Sequence, residues 1–83
     1  MSIIRKLKRI ERMHHLIRRK STGTPDAFAR KLGCSKSMVY KLISELKDMG
    51  APIVYHKYRE SFIYTYPVDF KAGFFIKKNE ETQ

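Results

Sequence analysis

Between Gly33 and Ser35 the chain has one residue, Cys34, in which to end one helix and begin the next. Thr24-Pro25-Asp26 opens the first of these helices as a unit. Thr24 can accept from the free amides of the first turn, Pro25 suits the first helical position, and Asp26 meets the positive end of the dipole. Phe28, Ala29 and Leu32 form its inward face, and Gly33 ends it. Ser35 reads as the next N-cap, and the helix behind it runs to about Met49 and closes on Gly50. At 100° per residue Val39, Leu42, Ile43 and Leu46 share one face of this helix, while Ser37, Tyr40, Lys41 and Ser44 point the other way. So tight a turn sets the second helix at a large angle across the first, leaving the outward face of the longer one free.

The segments on either side complete the domain. Residues 2–20 read as a helix with Ile3, Leu7, Ile10, Met13, His14 and Ile17 on one stripe and Arg5, Lys8, Arg9, Arg12 and Arg19 opposite; Ser21-Thr22-Gly23 stops it. After Gly50 the period changes. Ala51-Pro52 cannot continue a helix, Ile53 to Tyr58 is rich in β-branched and aromatic residues, and Phe62 to Tyr66 resumes after the polar Arg59-Glu60-Ser61. Two strands around a polar turn make a hairpin. Alternation of Val68, Phe70, Ala72, Phe74 and Ile76 suggests a third strand, and residues 77–83 read as a solvated tail. The expected fold is α+β, one domain over residues 1–76, with three helices followed by a hairpin.

Charge narrows the partner. Lys and Arg number 18 against 8 Asp and Glu, a net charge of +10, so the chain should meet polyanions: nucleic acid or an anionic membrane surface. The single Cys34 rules out an internal disulfide and leaves a Cys-rich zinc site without ligands. It reads as a structural thiol, and His14 as a core or subunit-interface histidine. No run approaches the roughly 20 apolar residues of a spanning helix, and no secretory signal is evident, so a cytoplasmic protein is expected. There is no Gly-rich phosphate loop, no placed carboxylate pair and no nucleophile with a base, so neither catalysis nor a cofactor is expected.

The string from Thr24-Pro25-Asp26 through Ala29, Leu32-Gly33 and Ser35 to Val39-Tyr40-Lys41, with the exit Gly50-Ala51-Pro52-Ile53, resembles the biotin-repressor-like winged helix-turn-helix. It is most similar to the DNA-binding head of bacterial WYL-domain transcription regulators, over roughly residues 5–66. The resemblance implies a three-helix core, a wing at His56–Ser61 and duplex DNA as partner. Such heads often carry a Gly-rich wing tip, where this chain has Arg59-Glu60-Ser61. No effector domain accompanies the head in this sequence, so a stand-alone regulator with no small-molecule effector is expected.

A major groove admits one helix, and its readers should be short or flexible polar residues near the helix N-terminus. Lys36, Ser37, Tyr40, Lys41 and Ser44 fit that role: Lys36 toward a phosphate, Lys41 toward guanine, Tyr40 toward a thymine methyl or a phosphate. Thr24, Arg19 and Lys20 are the further candidates at the rim, with Lys57 and Arg59 on the wing. The basic residues earlier in the first helix read more simply as a solvated face. Pairing of two copies would lengthen the site, so a homodimer is expected. The rival reading is a protein-interaction module docking through the first helix and the C-terminal aromatics. A peripheral membrane peptide is a weaker one, because the apolar stripe is needed to close the domain.

Overall fold

The computed structural model describes residues 2–71, in which five elements follow one another: α1 (Ile3–Arg18), α2 (Pro25–Leu32), α3 (Lys36–Asp48), β1 (Ile53–His56) and β2 (Ser61–Tyr64). The strands pair antiparallel, with Ile53 opposite Tyr64 and His56 opposite Ser61. The architecture is the α+β winged helix-turn-helix expected from the sequence.

Local chemistry sets the helix boundaries. Each helix starts on a hydroxyl: Ser2, Thr24 and Ser35 accept from the amides of Arg5, Ala27 and Met38 at 3.2, 3.3 and 3.1 Å, satisfying a donor that has no partner inside the helix. Each ends with the same pair of reversed bonds. Ser21, Cys34 and Ala51 donate to the carbonyls of Leu16, Ala29 and Leu46, all at 3.0 Å, and the preceding residue closes the shorter loop inside. This motif needs a left-handed residue. Gly33 supplies it at φ 68° in the α2–α3 turn, but at the end of α1 it falls to Lys20 at φ 58°. An L-residue there costs about 1–2 kcal/mol. The helix therefore stops before the Ser21-Thr22-Gly23 run. Gly23 has its own constraint: at φ 76°, a Cβ on it would lie 2.9 Å from the Ala27 Cβ.

The core draws on every element. Ile10, Met13 and Ile17 of α1 meet Phe28, Ala29 and Leu32 of α2, Val39, Leu42, Ile43 and Leu46 of α3, and Ile53 and Phe62 of the hairpin. Two members of the expected α1 stripe fall short: Leu7 is half-buried and Ile3 is exposed. At about 24 Å, α1 outruns the shorter α2 and α3, so its first turn overhangs. Cys34 is half-buried and packs against the core as a small apolar group. No strand follows β2 among the described residues. Val68 and Phe70 are instead half-buried, with the Phe70 ring 6.3 Å from that of His14. Ala72, Phe74 and Ile76, and the expected tail, lie outside the described residues.

Two polar contacts fasten the hairpin to the helices. The first joins Thr22, in the α1–α2 loop, to Ser61, the first residue of β2; both are fully buried. The Ser61 hydroxyl accepts from the Thr22 amide at 3.1 Å, and the Thr22 hydroxyl accepts from the Phe62 amide at 2.9 Å. The two oxygens lie 3.1 Å apart. Ser61 thus belongs to the sheet and not to the polar turn before it.

The second contact is between His14 Nδ1 and the Tyr64 hydroxyl, 2.7 Å apart. Burial, with His15 and Arg18 nearby, holds His14 below its ordinary pKa of 6.5, although Asp69 and Glu11 pull the other way. Burial likewise raises the Tyr64 phenol, keeping it neutral. The contact therefore joins a neutral imidazole to a neutral phenol, with one proton between Nδ1 and the hydroxyl oxygen. Because the folded pKa is depressed, the unfolded chain takes up the proton first. Stability is complete above about 6.5 and falls as the pH drops through that value toward the folded pKa. Thermal melts across pH 5–8 should show this loss, and His14→Phe should flatten it. An unchanged slope in that variant would exclude His14 as the group responsible.

Candidate nucleic-acid interface

The turn between α2 and α3 presents one face of α3 to solvent. Its apolar side is committed to the core, so the residues one and two turns apart on the opposite side, Ser37, Tyr40, Lys41 and Ser44, form an exposed stripe. Tyr40 is half-exposed, enough to offer part of its ring to a partner. Lys41 borders a shallow cleft with Met38, Leu42 and the Lys6–Glu45 ion pair, whose charged atoms are 3.5 Å apart.

Lys36 stands off this stripe. It turns toward the start of α2, where its ammonium lies 3.8 Å from the Asp26 carboxylate with both side chains largely exposed. Such a pair is worth about 0–1 kcal/mol, so a phosphate can replace the carboxylate as its partner. Thr24 is half-buried and its oxygen already accepts from the Ala27 amide. Capping uses a lone pair and not the proton, so the hydroxyl can still donate outward.

The wing is short and its tip is ordered by its own side chains. Residues 57–60 make the turn. Arg59 donates its amide to His56 Nδ1 at 3.2 Å and Glu60 donates to the Lys57 carbonyl at 3.2 Å. Glu60 takes φ 50°, the left-handed position that a glycine fills in the Gly-rich tips. Lys57 and Arg59 are exposed on either side of Tyr58, whose ring is 95% exposed. Tyr58 was absent from the expected contacts because the sequence counts it as the end of a strand. Its position inside a four-residue turn shows only in the structure.

Arg19 and Lys20 are not gathered with the α3 stripe. Arg19 lines a shallow groove on α1 with Lys8, Arg12 and His15, and Lys20 sits beside Tyr64, Tyr66 and Pro67 at the exit of β2. The structure thus presents two exposed sets, one along α3 and one at the wing tip, while Arg19 and Lys20 line grooves that contain neither.

Among the described residues, no helix is long and apolar enough to cross a membrane. Comparison with curated proteins and with solved structures gives no match. A family profile described as an HTH domain does match, over residues 5–59, which takes in α1 from Arg5 onward, all of α2, α3 and β1, and most of the wing turn. On that match and on the geometry of α2, the turn and α3, the chain belongs to the helix-turn-helix domain family of DNA-binding modules.

Proposed function

We propose that this chain is a transcription regulator that reads a specific duplex DNA sequence. α3 enters the major groove and the wing lies along the neighbouring backbone. The observation that carries this reading is the α3 stripe of Ser37, Tyr40, Lys41 and Ser44, short or flexible donors on a helix whose other side is locked into the core. Lys41 is long enough to reach a guanine edge, Ser37 and Ser44 accept either base, and Tyr40 packs on a thymine methyl or meets a phosphate. Lys36 and Thr24 hold the strand at the helix start, and Lys57, Tyr58 and Arg59 hold it at the wing. The resemblance to the heads of bacterial WYL-domain regulators supports the same assignment, as does the net charge of +10. Two copies acting as a homodimer would place two reading helices one helical turn apart, and the cytoplasm is the compartment for such work.

Selection of bound duplexes from a randomised pool, at about 150 mM salt where surface charge is partly screened, tests the reading. Enrichment of an inverted repeat is the expected result. A single half-site would remove the dimer and keep the sequence reading. Retention of DNA without enrichment would leave only backbone binding, and no retention would turn the fold toward a protein partner.

A further inference from the structure

We infer that the outer face of α1 is a second duplex-binding surface, so that one copy of this chain bridges two DNA segments. The fold's positive charge is concentrated away from the helix that reads. α1 carries Arg5, Lys6, Lys8, Arg9, Arg12 and Arg18 against Glu11 alone, whereas α3 sets Lys36, Lys41 and Lys47 against Glu45 and Asp48. At 100° per residue, Arg5, Lys8, Arg12 and Arg19 fall within an arc of about 60°. That arc lies opposite the buried Ile10, Met13 and Ile17, and all four cations are exposed. Lys8, Arg12 and Arg19 line one groove, and Arg12 is steadied by donating to the Lys31 carbonyl at 3.2 Å.

Position separates this arc from the first interface. Lys6 of α1 does meet Glu45 of α3 in the cleft beside Lys41, but the groove of Lys8, Arg12 and Arg19 shares no residue with that cleft, and Arg12 reaches the Lys31 carbonyl at the end of α2 instead. A duplex seated on α3 leaves the α1 arc uncovered. The arc also has the reach for a phosphate backbone: Arg5 to Arg12 spans about 10 Å and Arg5 to Arg19 about 21 Å of helix axis, while each DNA strand offers a charge every ~3.4 Å. A membrane surface fits less well. Ile10, Met13 and Ile17 are at most 8% exposed and already hold the domain together, and the exposed apolar residues of α1, Ile3 and Ile4, lie in its first turn alone, short of the Lys8–Arg19 stretch of the arc. Bridging rests on the proposed reading by α3, which holds the first duplex, while the α1 arc needs only backbone contact to hold the second. A chain that fails to bind the bead-bound duplex would fail the α3 reading, whereas a chain that binds it and captures nothing would fail the bridge.

The test uses the full chain at about 50 mM salt, where backbone contacts are strong. A labelled duplex is captured on beads carrying a second, unlabelled duplex. The unaltered chain should capture it. Arg5→Gln with Lys8→Gln should lose at least tenfold of the capture while still binding the bead-bound duplex and keeping its mass by light scattering. Lys36→Ala with Lys41→Ala should lose selection of the specific site. Arg19→Gln, beyond the helix end, gives a second reading that does not depend on α1 folding, with a several-fold loss expected. Capture that survives in both α1-face variants overturns the proposal, as does no capture by the unaltered chain. A fall in mass from dimer to monomer accompanying the loss also overturns it, because pairing would then be the bridge. Co-sedimentation with phosphatidylserine vesicles through Arg5 and Lys8, in preference to duplex, overturns it in favour of a membrane.

Discussion

Phe28→Ala is expected to remove about 3–5 kcal/mol of stability and to leave a large share of the chain unfolded. The ring is fully buried where α2 meets the hairpin, its centroid 5.7 Å from that of Phe62, which is in turn 5.1 Å from Tyr55. Removing it opens a cavity where the helix-turn-helix and the wing share a core. A domain of this length holds roughly 4–12 kcal/mol in all, so the loss is a large fraction of the total. The melting temperature should fall by at least about 12 °C. Phe28→Leu, which keeps most of the volume, should cost less than half as much. Exposed Ile4 is the control: Ile4→Ala should stay within about 0.5 kcal/mol. A Phe28→Ala melt close to that of the unaltered chain would show that the wing does not share the helical core.

Phe28 was legible in the sequence because its signal is local. The same holds for the N-caps Thr24 and Ser35, for the α2–α3 turn and for the α3 stripe, each settled by successive residues no more than four positions apart; Ser2, counted inside the first helix, proves to be its cap. The fastenings of the hairpin were not. Thr22 and Ser61 stand 39 positions apart and His14 and Tyr64 stand 50 apart, and nothing in the residues near any of them announces the partner. Thr22 reads as part of a stop signal and Ser61 as part of a polar turn, yet both are fully buried. Their hydroxyls stand in for strand partners that the short β2 lacks at its start. Lys20 and Glu60 misread for a related reason. Each occupies a left-handed position usually given to glycine, so the turn closes where composition does not mark it. At the candidate site, the exposed face of α3 was legible and the exposed Tyr58 was not, because periodicity locates a helix face well and the tip of a short hairpin poorly.

Affinity for duplex DNA is expected to fall by roughly a thousandfold between 50 and 200 mM salt. The proposed contacts of Lys36, Lys57, Arg59 and the amides and hydroxyls at the starts of α2 and α3 would neutralise about six phosphates. With counterions released at each, the logarithm of affinity falls by about five for each tenfold rise in salt. The variants separate the roles. Lys36→Ala should lower the slope by about one and weaken binding equally for every sequence, as a phosphate contact does. Lys41→Ala should cost about 1–3 kcal/mol on the selected site and relax preference at one base pair, while non-specific binding changes little. Asp26→Asn sharpens the test further. It removes the carboxylate 3.8 Å from Lys36, so the ammonium no longer has to exchange one anion for another, and non-specific affinity should rise. Titration of each variant at four salt concentrations reads all three effects. Binding indifferent to salt would overturn the phosphate contacts, and a Lys41→Ala chain with unchanged preference would move base reading to Ser37, Tyr40 or Ser44.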